Sequence, residues 1–254
     1  MKTALTIAGS DPTGGAGLQA DLKVFHHFGV YGLSAVSALT AQNTFEVNAI
    51  SKVDEGFMAE QLNTLLSDIR PDALKTGMLF STDAIKVLAG IIRGYELQNL
   101  VIDPVTVSST GTSLIENGAL DAMKDELFPL AKVITPNIYE ASAISGINIE
   151  NENDMEKAAI KLKNLGVEIV IITGGHMKKE ALDLIYDGER FDYLRGNKSK
   201  GEYHGTGCAF SAAITALLAR GVSVRESAKK AKEFVAHAIE NAYDIGKGMR
   251  LLNV

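Results

Sequence analysis

A doubly wound α/β fold around a mostly parallel sheet is what this sequence predicts. Short apolar runs alternate with stretches of helical periodicity from end to end, which is the β-α-β-α rhythm of that class. The runs are apolar on both alternating faces, as strands covered on both sides require. Glycines gather where runs give way to helices, at Gly14-Gly15-Ala16-Gly17, Gly174-Gly175 and Gly205-Thr206-Gly207. No repeat, low-complexity run or linker divides the 254 residues, so 1–254 reads as one domain.

The elements follow in order. Residues 4–8 form the first strand, and a helix over 17–28 puts Leu18, Leu22 and Phe25 on one face. Residues 33–39 form the second strand. Residues 47–53 read as a short exposed strand without a crossover helix of its own. A helix over 56–69 aligns Phe57, Leu62, Leu65, Leu66 and Ile69. Strands follow at 73–76, 100–102, 133–135 and 167–173, with helical stretches at 83–92, 118–127 and 154–165 joined by right-handed crossovers. Gly166 stands where a helix C-cap belongs. Residues 182–186 and 191–194, joined by Asp187-Gly188-Glu189, read as an antiparallel hairpin that edges either a nucleotide site or simply the sheet. A strongly apolar helix covers 206–219.

Composition narrows the function. Lys+Arg 25 against Asp+Glu 31 leaves a net charge of −6, the opposite of a nucleic-acid footprint. The longest apolar runs, such as Ile169-Val170-Ile171-Ile172, fall far short of the roughly 20 residues that span a bilayer. The amino end is too short in its apolar part for a secretory signal. The single cysteine, Cys208, cannot form an internal disulfide, which fits a reducing, cytoplasmic setting. The expected partner is a small molecule, with neither nucleic acid nor membrane involved.

Four groups of residues carry candidate chemistry. Gly9-Ser10-Asp11-Pro12-Thr13-Gly14-Gly15-Ala16-Gly17 lies between the first strand and first helix. It lacks the Lys-Ser/Thr of a Walker A loop. Gly15-x-Gly17-x-x-Ala20 meets the relaxed dinucleotide fingerprint, yet without an acidic partner at the usual spacing. A ligand-facing turn and a tight packing turn both remain open. His204-Gly205-Thr206-Gly207-Cys208 opens the apolar helix. Bare backbone N–H groups there would form an anion hole, and the helix dipole would favour a Cys208 thiolate. The bland alternative makes Cys208 a small buried hydrophobe.

Asp103 before Pro104, and Asn137 with Glu140 after Pro136, stand at strand ends where α/β folds bind ligands. Carboxylates there suit Mg²⁺, although each also suits a helix cap or turn. Gln42 could read a heterocycle edge through both amide atoms. Met78 reads as core and Asn43 as a turn residue. His204 is the one histidine beside a candidate site.

Together, residues 6–21, Ala41-Gln42-Asn43-Thr44, Lys75-Thr76-Gly77-Met78-Leu79, Ile102-Asp103-Pro104-Val105, Ile134-Thr135-Pro136-Asn137, Gly174-Gly175-His176 and His204-Gly205-Thr206-Gly207-Cys208 resemble the hydroxymethylpyrimidine/phosphomethylpyrimidine kinases of thiamine biosynthesis, in the family's own order. The resemblance implies a ribokinase-like three-layer α/β/α fold. It also implies ATP:Mg²⁺ phosphorylation of 4-amino-5-hydroxymethyl-2-methylpyrimidine (HMP) and then of HMP phosphate. Carried over residue by residue, Cys208 is the catalytic base and Gly205 and Gly207 form the anion hole. Asp21, Gln42 and Met78 line the pyrimidine pocket. Asn137, Thr173 and Gly205 meet the nucleotide, and Asp103 and Glu140 hold the metal. Thr173 stands where many relatives carry lysine. A homodimer is expected. Pyridoxal kinases of the same fold share the glycine–cysteine tip, and Ala41-Gln42-Asn43-Thr44 favours the pyrimidine reading.

Overall fold

A computed structural model describes residues 1–108, 111–175 and 180–254. The chain runs β1 (Thr3–Ser10), α1 (Gly17–His27), β2 (Tyr31–Gln42), β3 (Val47–Lys52), α2 (Glu55–Leu66), β4 (Ala73–Thr76), α3 (Thr82–Gly94), β5 (Leu100–Ile102), α4 (Ala119–Ala122), β6 (Val133–Ile134), α5 (Ile138–Ser145), α6 (Glu152–Lys163), β7 (Ile169–Ile172), β8 (Ala181–Tyr186), β9 (Phe191–Gly196), β10 (Tyr203–His204), α7 (Thr206–Ala219), α8 (Val224–Glu240) and β11 (Arg250–Leu251). Nine strands form one sheet in the order β3-β2-β1-β4-β5-β6-β7-β8-β9. The six central strands are parallel, while β3, β8 and β9 pair antiparallel at the edges.

Alternation along the strands builds two cores. Leu5, Ile7, Leu74, Leu100 and Ile102 face α2, α3, α5 and α6, while Ala4, Ala73, Val101 and Ile171 face α1, α7 and α8. Short polar residues start the helices. Asp54 caps α2 through Phe57 N, Ser81 caps α3 through Ala84 N, and Asn151 caps α6 through Asp154 N. Among the described residues no helix is long and apolar enough to cross a membrane.

Several elements differ from the sequence expectation. The stretch at 118–127 is not one helix: α4 lasts four residues and passes into a π turn at Met123–Leu127 and a 3-10 turn at Phe128–Leu130. Pro129 has no N–H to continue an α ladder, so the segment stops there. β1 and β2 extend to Ser10 and Gln42, beyond their apolar cores, because each finds a neighbour to pair with. α5 and the short parallel pair β10–β11 carry no pattern that periodicity alone resolves, whereas α8 does, its buried Val224, Ala228, Ala231, Phe234 and Ala238 standing at helical spacing in a stretch the sequence reading left unassigned.

Candidate active site

The strand order reverses between β1, which leads on to β2 at one side, and β4 at the other. Ligands in open α/β sheets lie at the carboxyl ends of strands flanking such a point. There the pleat puts polar residues into a face that is otherwise apolar. Thr6 follows Ala4 by two, Lys75 follows Ala73 and Asp103 follows Val101, so all three point toward α1 and α7. Thr6 and Lys75 are direct register partners.

Lys75 is the centre of this cluster and has no exposed side-chain surface. Its Nζ lies 2.7 Å from Asp21 Oδ1, and Thr6 Oγ1 donates to Asp21 Oδ2 at 2.6 Å. Burial opposes the Lys75 charge, but the carboxylate of Asp21, with Asp103 nearby, outweighs it and holds the ammonium above the usual lysine range. Asp21 is itself fully buried in α1, with both oxygens taken up by protein donors. The structure therefore sets Asp21 beneath the site as the counter-ion of Lys75. Ser211 Oγ donates to Asp103 Oδ2 at 3.0 Å, tying β5 to α7.

Gly205 and Gly207 begin α7 differently. Gly205 is the buried N-cap at φ 81°, and no described side chain caps the helix. A Cβ at Gly205 would stand 1.8 Å from Gly15 O. Gly17, at φ 59°, would put a Cβ 2.4 Å from Gly9 O. Both glycines are therefore demanded by close backbone approach. The Gly14–Gly17 cluster thus packs through Gly15 against the start of α7 and through Gly17 against the end of β1. Gly207 is exposed, and its nearest neighbour would be Asp103 Oδ2 at 4.0 Å. The first intrahelical bond runs from Ala209 N to Gly205 O. The amides of Thr206, Gly207 and Cys208 thus precede the helical ladder, as an anion hole requires.

Cys208 departs from expectation. The helix dipole suggests a low thiol pKa, but burial pushes it up to about 12. Lys75 and the Gly17 N–H pull downward, while the Asp103 and Asp21 charges push further up. At neutral pH the group is a thiol. Desolvation by the packed α1 turn outweighs a partial helix charge.

Asn137 and Glu140 form a reciprocal capping box on α5. The Asn137 side chain accepts from Tyr139 N and Glu140 N, and Asn137 N donates to Glu140 Oε2 at 2.9 Å. Both the cap reading and the strand-end reading of the sequence therefore apply to one place. Thr173 pairs with Asn137 across the ends of β6 and β7, and Gly174 N donates to Asp183 Oδ1 at 3.0 Å. Burial and then the nearby Asp103 charge push Glu140 up to about 8, and burial likewise pushes Asp103 up. Two carboxyls that disfavour each other's charge are suited to a divalent cation. Among the described residues no group of three or more His, Cys, Asp or Glu could hold a metal. Mg²⁺ commonly takes one or two carboxylates and completes its shell with phosphates and water, so Asp103 and Glu140 are residues that could hold it.

Gln42 ends β2, with its carboxamide between Thr40 and His204. Met78 is 7% exposed and forms a small separate cluster with Ala38 and Leu114, and its sulfur would lie 3.1 Å from a Cβ at Gly9. The structure thus gathers Asp21, Asp103, Gly205, Gly207 and Cys208 at one place. Asn137, Glu140 and Thr173 lie together along the strand ends. Lys75, Asp11 and Ser211 escaped sequence reasoning as site residues. A lysine inside Ala73-Leu74-Lys75-Thr76 was itself a signal, since a buried strand lysine needs a paired charge. His176 of the Gly174-Gly175-His176 motif lies outside the described residues.

Known proteins match this arrangement throughout. The sequence profile of the family described as phosphomethylpyrimidine kinase matches residues 11–253. A thiamine biosynthesis bifunctional protein of Geobacter sulfurreducens is 44% identical over 246 residues, 96% of this chain and 50% of that protein, so the chain spans about half the length of that relative. A hydroxymethylpyrimidine/phosphomethylpyrimidine kinase of Bacillus subtilis is 40% identical over 248 residues, 96% of this chain and 92% of the relative. The solved pyridoxal kinase from Staphylococcus aureus, in complex with AMP-PCP and pyridoxal, superposes with a TM-score of 0.92 at 38% identity, covering 100% of this chain and 93% of that one. The three-layer, ribokinase-like architecture is shared with these kinases. A profile match over nearly the whole sequence, with relatives at this identity, means that the chain belongs to the phosphomethylpyrimidine kinase family.

Proposed function

We propose that the whole chain, acting as one domain, transfers the γ-phosphoryl group of ATP to the hydroxymethyl oxygen of HMP and then phosphorylates HMP phosphate to the diphosphate. One observation carries the site: the uncapped start of α7, with its bare Gly207, faces Asp103 at the end of β5. Phosphoryl transfer through a loose transition state asks for positioning and charge stabilisation more than for a strong base. The amides of residues 206–208 would stabilise charge on the transferring oxygens, and Asn137 and Thr173 would bracket the nucleotide. Asp103 and Glu140 would hold Mg²⁺, which neutralises charge on the β- and γ-oxygens when bound. Cys208 would accept the proton of the substrate hydroxyl late in the transfer only as the thiolate, after its own proton has passed to solvent. Its high pKa makes it a strong proton acceptor once ionised, and Lys75 beneath it favours that ionised form. Gln42 and Met78 would line the pyrimidine side.

A coupled ADP-release assay with HMP, HMP phosphate, pyridoxal and pyridoxine, compared by kcat/KM, tests this reading. HMP and its phosphate should lead. A preference for pyridoxal, the molecule bound by the Staphylococcus aureus neighbour, would overturn the substrate assignment and keep the kinase. We also infer a cytoplasmic homodimer. The lone Cys208 supports the compartment. The open β3 edge, with Leu39 and Phe45 each 51% exposed beside it, supports self-association and is tested by sedimentation.

A further inference from the structure

Strand β2 carries one residue more than its parallel partner β1. Ala8 stands opposite Val36, but Gly9 stands opposite Ala38, so Ser37 is the extra residue of a β-bulge. The bulge exchanges the two faces of β2. Before it the odd-numbered Leu33 and Ala35 are buried. After it Ala38 is buried and Thr40 and Gln42 are half-buried, while Leu39 and Ala41 are exposed. In an unbulged ladder Gly9 would pair with Ser37, and Ala41 would take the place from which Gln42 meets His204.

Two side chains hold the bulge. Gln61 of α2 accepts from Val36 N through Oε1 at 2.9 Å and donates from Nε2 to Val36 O at 3.1 Å, as a neighbouring strand would. A backbone N–H needs the oxygen and a carbonyl needs the amide N–H, so the partners fix this orientation. Val53 N donates to Ser37 O at 3.0 Å. Ser37 itself is 2% exposed, and its hydroxyl donates to Met78 O at 2.5 Å. Met78 follows β4, and β1 lies between β2 and β4 in the sheet. Gly9 leaves the room for this contact: a Cβ there would stand 3.1 Å from Met78 Sδ and 3.7 Å from Ala38 O. One buried hydroxyl therefore ties the bulge that sets the face of Gln42 to the backbone of Met78.

We propose that Ser37 is a positioning residue for substrate recognition, fixing the β2 bulge against Met78 so that Gln42 and Met78 serve one pyrimidine pocket, with Gln61 holding the same bulge from α2. This rests on the reading of Gln42 and Met78 as pyrimidine contacts. Neither Ser37 nor Gln61 touches the residues assigned to the nucleotide or the metal, so loosening the bulge acts on the pyrimidine.

Two variants reach the bulge from different elements. Ser37→Ala removes the hydroxyl without adding bulk, and Gln61→Leu keeps a half-buried side chain of similar size while removing both hydrogen bonds to Val36. With HMP as substrate each should raise KM about tenfold with a smaller change in kcat, and ATP affinity by titration should stay within about twofold. The double variant should lose less than the product of the two single losses, because both act on one bulge. A bulge that serves only the fold would lower Tm and leave KM for HMP at the parental value. Should Ser37→Ala fail to fold, Gln61→Leu decides. A KM for HMP within about twofold of the parent in the folded variants, equal losses for HMP and ATP, or a double variant showing the full product would overturn the proposal while leaving the HMP kinase reading standing. An unchanged kcat/KM for HMP in Gln42→Ala would instead remove the pyrimidine contact itself, and this proposal with it.

Discussion

Gly205 and Gly207 stand two residues apart at the start of α7, yet a methyl group added at each should act on different properties. At Gly205 the backbone holds φ 81°, where a non-glycine residue costs roughly 1–2 kcal/mol. The new Cβ would also lie 1.8 Å from Gly15 O and 2.8 Å from Gly15 C. Those atoms are backbone, so the two turns must part, at an overpacking cost of about 1–3 kcal/mol. Gly205→Ala should therefore lose about 2–5 kcal/mol and, for a chain of this size, lower Tm by roughly 5–15 °C. Gly207 is exposed, and its methyl would meet nothing nearer than Asp103 Oδ2 at 4.0 Å. Replacing a helical glycine by alanine stabilises by up to about 1 kcal/mol. Gly207→Ala should thus melt at the same temperature as the parent or slightly higher. Its methyl would nonetheless stand between the free amides of α7 and Asp103, where the phosphoryl group is expected. A displacement of about 1 Å there can cost on the order of 10²-fold in rate. Differential scanning fluorimetry and the ADP-release assay on the same two preparations make the comparison. Near-parental kcat in a well-folded Gly207→Ala would refute the placement of the transferring group at this helix start.

Other perturbations address the remaining residues. Lys75→Met leaves the buried Asp21 without its counter-charge and should cost about 3–5 kcal/mol in urea unfolding, with Asp21→Asn in the same chain restoring part of it; a loss below about 1 kcal/mol would show that the pair is dispensable. Cys208→Ala should lose about 10²–10⁴ in kcat if the thiolate is the base, and near-normal turnover would assign the cysteine to packing. Because burial raises its thiol to about 12, thiolate is scarce at neutral pH and grows roughly tenfold per pH unit. Iodoacetamide inactivation of the ligand-free protein should accelerate in that proportion from pH 7 to 9, and a plateau near pH 8 would contradict the raised thiol pKa of the half-buried Cys208. Glu140→Gln keeps a side chain able to complete the α5 capping box, so the fold should persist while the Mg²⁺ concentration for half-maximal rate rises. An unchanged Mg²⁺ profile would confine Glu140 to its role as a cap.

What the sequence determined by itself is local. Apolar runs of fixed period marked the six parallel strands, because a strand buried on both faces has no polar alternative at Leu5, Ile7, Val101 or Ile171. Gly205-Thr206-Gly207 marked a helix start, because bare backbone there is a property of those residues alone. The motif order carried the family. The tertiary structure decided everything that depends on partners distant in the chain. Lys75 finds Asp21 54 positions away, and His204 finds Asp11 193 positions away and Gln42 162 away. No periodicity encodes such pairs. The state of Cys208 belongs to this second kind. Its position at a helix tip is written in the sequence, but desolvation depends on what packs over the thiol, and the α1 turn with Asp103 and Asp21 reverses the shift that the helix end alone suggests.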